Sequence, residues 1–278
     1  MPEDPKPLPF LSLIHPYTGD VTGIRRAESG PGTDFAAVVE CEKGAFFVKA
    51  MRNHGWRSAS INRERLIIPY VEPISPALCW GAADEGWAVL GLEVAEGRRP
   101  DFEPGSPDLP TMVELVDRIG KVDLPDVARS WTETRWDRFL TRESEIGLLR
   151  GDALLHADIN PYNLIVGDER SWAVDWAWPT RGAAFIDPAM FVVQLISSGH
   201  TPEGAETWAS GCTAWREADP VAVDAFAAAY LRMRREMAER RPDTASRKAM
   251  LHAAATWVAH RGGDACPPPA AQVPGSGR

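Results

Sequence analysis

Between Leu154 and Val166 the chain spaces His156, Asp158 and Asn163 as H-x-D-x-x-x-x-N, directly before an apolar run. Those residue types at that spacing suit phosphoryl transfer. The aspartate faces the attacking hydroxyl of an acceptor, and one turn of loop later the asparagine offers an amide oxygen to a magnesium ion on nucleotide phosphates. Asp158 is the better base, because a carboxylate within hydrogen-bond reach of the hydroxyl orients it and takes its proton late in a loose transition state. His156 reads as a structural prop of the loop. A lone H-x-D would carry little weight, since buried His and Asp often only satisfy backbone groups. The residues downstream give the pattern its force.

Twelve residues past Asn163, Trp172-Ala173-Val174-Asp175-Trp176 is an apolar strand delivering a carboxylate, and Gly167-Asp168-Glu169-Arg170 between them reads as a turn. Such a hairpin returns Asp175 to the end of the ribbon where Asn163 stands. Asn163 and Asp175 are then the expected metal ligands, few protein oxygens supplemented by phosphate oxygens, as magnesium prefers. A cation on the phosphates is also needed, and Phe47-Val48-Lys49 supplies a strand-borne lysine. Its flexible stem requires an anionic partner. Glu64, in an expected helix, is the candidate, with Glu72 nearby. Gly30 and Gly32, in Ser29-Gly30-Pro31-Gly32-Thr33-Asp34, lie where a loop over the phosphates is expected. The run is not G-x-G-x-x-G and Pro31 has no N–H to give, so a phosphate cradle and a plain hairpin turn both stay open. Asp187 opens a further expected helix, either as its N-cap or as an acceptor for catalytic-loop backbone N–H groups.

The elements that must position these residues fall into two groups. Residues 1–97 are expected to form a nucleotide-binding lobe of mainly strands: Val21 to Glu28, Phe35 to Glu40, Gly44 to Ala50 and Trp87 to Val94, with one helix through Ala59 to Ile67. The breakers in Ala95-Glu96-Gly97-Arg98-Arg99-Pro100 suggest a hinge. Residues 98–263 are expected to be mostly helical, carrying the catalytic loop and the substrate-binding helices. Helices are assigned to Asp126–Leu140, Pro220–Arg240 and Thr244–His260, the last with Asp243 or Thr244 as cap. The basic run Arg232-Met233-Arg234-Arg235 reads as a solvated helix face. Residues 264–278, rich in proline, are expected to be a mobile tail.

Hydrophobic residues make up 44% and charged residues 25% of the 278, an ordinary composition for a soluble chain of this size. No apolar run approaches membrane-spanning length and the N-terminal residues lack a signal pattern, so a cytoplasmic protein without a membrane partner is the expectation. A net charge of -9 gives no drive toward nucleic acid and is compatible with a cationic small molecule. Four cysteines, Cys41, Cys79, Cys212 and Cys266, show no metal spacing and read as reduced, mostly core, thiols.

Taken together, Lys49, Glu64, His156-Ala157-Asp158, Asn163, Asp175 and Asp187 resemble the aminoglycoside phosphotransferase and choline kinase-like branch of the protein-kinase fold. Val174-Asp175-Trp176 is more similar to this small-molecule branch than to the D-F-G of protein kinases, and no A-P-E comes after it. Ala157 stands where the family's H-G-D has glycine, and Ala177 where an acidic residue is frequent. The resemblance implies an α+β, two-lobed protein-kinase-like fold with a small, mainly antiparallel sheet lobe and a larger helical one. It implies ATP and Mg2+ as cofactors, adenine held against backbone near Glu93 and Ala95, Asp158 as base, Asn163 and Asp175 as metal ligands, and Asp187 as a brace of the loop. The implied reaction moves the γ-phosphate to a hydroxyl of a small molecule, such as an aminoglycoside-like compound, an amino alcohol or a sugar. A non-catalytic nucleotide-binding module and a protein kinase are the alternatives.

Overall fold

The structure is a computed structural model that describes residues 8–27, 33–240 and 244–263. Helix α1 (Leu11–Thr18) precedes strands β1 (Val21–Arg26), β2 (Phe35–Cys41) and β3 (Gly44–Arg52). Helix α2 (Gly55–Val71) comes next, and β4 (Leu78–Ala83) and β5 (Trp87–Leu92) complete an antiparallel sheet in the order β1-β2-β3-β5-β4. Side-chain alternation along β3 divides its residues between two faces. Val48 and Ala50 pack with Phe10, Ile14 and Val39 on one side, and Met51 packs with Ile61, Ile68 and Leu90 on the other. Lys49 has the parity of Met51 and therefore points toward α2. On α2, Ile61, Glu64 and Ile68 recur at helical spacing and are all buried, so Glu64 faces the sheet.

Beyond residue 97 come α3 (Leu109–Ile119), then β6 (Ala153–Leu155), β7 (Leu164–Val166), β8 (Ser171–Ala173) and β9 (Thr180–Gly182). Helices α4 (Ile186–Ser197), α5 (Pro202–Ala209), α6 (Thr213–Arg216), α7 (Pro220–Arg240) and α8 (Ala245–His260) complete the lobe. Two small antiparallel ribbons, β6 with β9 and β7 with β8, hold the catalytic-loop segment. They sit on one large core in which α4 is buried on nearly all sides. The largest members of that core are Trp136, Trp176, Phe191, Phe226, Tyr230 and Trp257, and burying each such side chain contributes roughly 1.5–3 kcal/mol or more. The linker after β5 is pinned to the ribbon where Arg98 bridges Val166. Gly97 makes that approach possible: its φ is 137°, and a Cβ there would lie 2.3 Å from the Val166 carbonyl oxygen.

Several expectations are corrected. Asp126–Leu140 is not a helix but two short 3-10 turns, Asp126–Ala128 and Asp137–Phe139, around an extended stretch. That stretch finds a better partner than its own turns. Thr132 bridges Arg181, Arg181 N donates to Trp131 O at 2.7 Å, and Glu133 N donates to Arg181 O at 2.8 Å. The basic run on α7 is not simply solvated, because Arg232 donates to Phe139 O at 2.6 Å and to the Thr141 hydroxyl at 2.7 Å. Cys79 is exposed rather than core, unlike Cys212, while Cys266 and the 264–278 tail lie outside the described residues. Thr244 caps α8 by accepting from Arg247 N; Asp243 also falls outside the described residues. Among the described residues no helix is long and apolar enough to cross a membrane.

Candidate active site

Lys49 is buried, and its Nζ lies 2.6 Å from Glu64 Oε2 and 2.5 Å from Asp175 Oδ1. Three charges thus meet where β3, α2 and the residue after Val174 converge. Burial pulls the lysine's pKa down, but two carboxylates outweigh it and hold the ammonium above the usual lysine range. The carboxylates share that one cation unequally. Lys49 depresses Asp175 against an opposing burial effect, whereas Glu64, fully enclosed, is pushed up by burial despite Lys49. Glu72, the alternative partner, is exposed at the C-terminal end of α2.

The catalytic-loop segment is fixed by side chains that satisfy its backbone. Asp187 accepts from the N–H groups of His156 and Ala157, both at 2.8 Å. It is not the cap of α4: that position belongs to Phe185. Enclosure raises the Asp187 pKa, with His156 and the two N–H donors opposing the rise. His156 Nε2 is 2.9 Å from Val174 O, and its ring tilts against Trp176, so the histidine ties the loop to the strand that carries Asp175. Its Nδ1 is buried with no hydrogen-bond partner among the described residues. Asp158 is exposed. The Asn163 amide N–H group donates to Asp158 Oδ2 at 2.9 Å and to Asp158 O at 3.0 Å, which leaves Asn163 Oδ1 as an available oxygen. Val174 N donates to Asn163 O at 2.8 Å, closing the β7–β8 hairpin so that residues 163 and 175 share one end of it. Asn160 shapes the intervening turn by accepting from Tyr162 N and donating to Asp158 O.

Two non-glycine residues here have left-handed backbone, Ala157 at φ 60° and Asp175 at φ 62°. Each costs about 1–2 kcal/mol and persists because neighbours hold it. For Ala157 the holders are Asp187 on its N–H and Arg135, whose Nη1 donates to its carbonyl at 2.6 Å.

At the linker, Glu93 N donates to Ala77 O, and the Glu93 carboxylate accepts from Ala77 N and from Arg170. Ala95 lies beyond it, outside any regular element, and its backbone makes no hydrogen bond among the described residues. Gly30 and Gly32 lie outside the described residues. Asn163 Oδ1 and the Asp175 carboxylate make a hard, two-oxygen donor set. No cluster of three or more His, Cys, Asp or Glu suited to a metal occurs among the described residues. Such a pair fits magnesium that arrives with phosphate oxygens rather than one caged wholly by protein.

No protein-family model matches the chain, and none of the curated proteins does. Solved structures do. Aminoglycoside phosphotransferase APH(4)-Ia aligns with a TM-score of 0.59 at 11% identity, covering 91% of this chain and 98% of its own. A microcompartment-associated aminopropanol kinase aligns with a TM-score of 0.58 at 16% identity, covering 91% and 96%. Amicoumacin kinase hAmiN, in complex with AMP-PNP, Ca2+ and amicoumacin, aligns with a TM-score of 0.55 at 13% identity, covering 83% and 86%. The chain shares the fold of these structures. At these identities the likeness establishes the architecture, the α+β two-lobed protein-kinase-like fold that the resemblance implied.

Sequence reasoning passed over residues that this fold gathers at the site. Glu133 is buried, accepts from Arg135 N and from the Thr180 hydroxyl at 2.7 Å each, and stands beside Arg135. Arg63 on α2 lies over the rings of Trp131 and Trp178, at 5.1 and 5.3 Å, and joins the helix that carries Glu64 to the segment after Asp175. The β-branched Thr132 and Thr134 on either side of Glu133 were a readable hint of extended chain there. Nothing local marked Arg63 or Arg135.

Proposed function

We propose that the chain is an ATP- and magnesium-dependent phosphotransferase that moves the γ-phosphate to a hydroxyl group of a small molecule. The observation that carries this reading is the convergence of Lys49, Glu64 and Asp175 on one side of the loop that fixes Asp158 and Asn163. Lys49 is suited to the nucleotide phosphates, with Glu64 retaining it when Asp175 turns to a metal. Asn163 Oδ1 and Asp175 would hold the magnesium, whose role when bound is to neutralise charge on the phosphates and set them in line. Adenine would lie against the backbone near Glu93 and Ala95, where Ala95 N–H and C=O are available. Asp158 accepts the acceptor's hydroxyl proton as the new O–P bond forms and the bond from Pγ to the bridging oxygen breaks, releasing ADP. The solved structures of this fold include enzymes named for aminoglycosides, aminopropanol and amicoumacin.

The test is ATP consumption across a library of amino sugars, amino alcohols, sugars and hydroxy acids, with an Asp158→Ala control. Turnover that depends on an acceptor and collapses in the control is expected. Unchanged turnover in the control would remove Asp158 from the role of base.

A further inference from the structure

We propose that Arg63 is a positioning residue for the transfer, holding α2 and its Glu64–Lys49 pair against the larger lobe when Asp175 leaves Lys49 for a metal. This rests on the phosphotransferase reading above and adds a residue to that same site. Helix α2 presents two stripes. Ile61, Glu64 and Ile68 face the sheet, whereas Arg63, Ile67 and Val71 recur every four residues, and Ile67 and Val71 belong to the core of the larger lobe. Ala59, one turn before Arg63, is exposed, so Arg63 is the anchor of this stripe nearest the N-terminal end of α2.

The Arg63 guanidinium lies 5.1 Å from the ring centre of Trp131 and 5.3 Å from that of Trp178. It makes no hydrogen bond or ion pair among the described residues, so the two rings are what hold it there. A planar, weakly hydrated guanidinium suits two aromatic faces better than an ammonium does. The rings are themselves fixed. Arg181 N donates to Trp131 O at 2.7 Å and Thr132 bridges Arg181, which ties the Trp131 stretch to β9, the strand that begins two residues after Trp178. Two side-chain ties therefore join α2 to the segment from Asp175 to Trp178. One is ionic and runs from Glu64 through Lys49 to Asp175, at 2.6 and 2.5 Å. The other is Arg63 on Trp178. When the Asp175 carboxylate turns to a metal it releases Lys49, and the ionic tie then reaches β3 but not the segment. Of the two, only Arg63 remains. Its contribution to nucleotide binding should appear with magnesium and be masked without it, a pattern that general stabilisation of α2 does not produce.

The experiment titrates ATP, with magnesium and with EDTA, into wild type, Arg63→Ala, Arg63→Lys, Trp178→Ala and Trp178→Phe, with melting temperature as the control for folding. The wild type is expected to bind ATP more tightly with magnesium. Arg63→Ala and Trp178→Ala should each lose about fivefold or more in affinity with magnesium and less than about twofold with EDTA, while Arg63→Lys and Trp178→Phe recover part of the loss. Equal losses in the two conditions, no loss in a folded Arg63→Ala protein, or a loss that Trp178→Ala does not share overturns the inference while leaving the nucleotide site intact. If Arg63→Ala does not fold, the two Trp178 variants decide on the same criterion. A wild type whose ATP affinity magnesium does not raise would instead bring down the phosphotransferase reading, and this inference with it.

Discussion

Asp187→Asn isolates how the catalytic-loop segment is held. The carboxylate accepts two backbone N–H bonds at 2.8 Å in a fully enclosed setting, and the amide of asparagine has the same shape but one acceptor atom. One N–H, of His156 or Ala157, then faces an NH2 group. A buried orphan donor costs about 1–3 kcal/mol, and losing a charge-assisted bond adds about 1–2 kcal/mol. The variant no longer has to enclose a charge, which offsets part of this, since burial was already pushing the Asp187 pKa up. The balance is a destabilisation of about 2–4 kcal/mol, or a fall in Tm of about 5–15 °C for a chain of this size. Either way the segment around Ala157, with φ at 60°, loses one of the bonds that hold it, so the loop relaxes and kcat falls more than Mg·ATP affinity does. Calorimetric melting alongside nucleotide binding and turnover checks all three. A variant with wild-type Tm and wild-type kcat would refute the idea that this carboxylate holds the strained loop.

Glu64→Gln leaves Lys49 with Asp175 alone, and we expect about 3 kcal/mol of lost stability with weaker ATP binding, read by denaturant titration and nucleotide affinity. Gly97→Ala brings a Cβ to 2.3 Å from Val166 O at a backbone conformation that L-residues avoid, so unfolding measurements should show a loss of about 2–4 kcal/mol. Arg98 makes a bidentate contact with Asp108 at the start of α3, and that contact, with the Asp101 N–H, holds the Asp108 pKa below the ordinary carboxylate range. A depressed carboxylate contributes stability that is complete above its unfolded pKa and is lost as pH falls through the folded one. Asp108→Asn should therefore lower Tm at pH 7, and calorimetric melting should show this difference shrinking as pH falls below the ordinary carboxylate range.

The parts of the site that could be read from the residues alone are those whose geometry is local. His156 to Asp175 is one continuous loop and hairpin, so spacing alone puts residues 163 and 175 at the same end. That Lys49 and Glu64 meet is the result of two periods agreeing, the alternation of β3 and the Ile61-Glu64-Ile68 stripe of α2. The Arg135 clamp joins residues 22 apart through a segment without regular structure, and no period announces it. The same segment misled as a helix because Val127, Trp131, Phe139 and Leu140 mimic amphipathic spacing, while backbone bonds to Arg181 decide the outcome. Helix α1 escaped notice because Pro16 lies inside it, and β4 because Gly81, Ala82 and Ala83 carry no strand signal.

The claim on which the account depends is that Lys49, Asn163 and Asp175 hold one magnesium–triphosphate unit next to Asp158. Calorimetric titration of ATP with magnesium and with EDTA, into wild type and into Asp175→Ala, tests it most directly. The account predicts tighter ATP binding with magnesium in the wild type, and loss of that advantage in Asp175→Ala. An equal magnesium advantage in both proteins would contradict it.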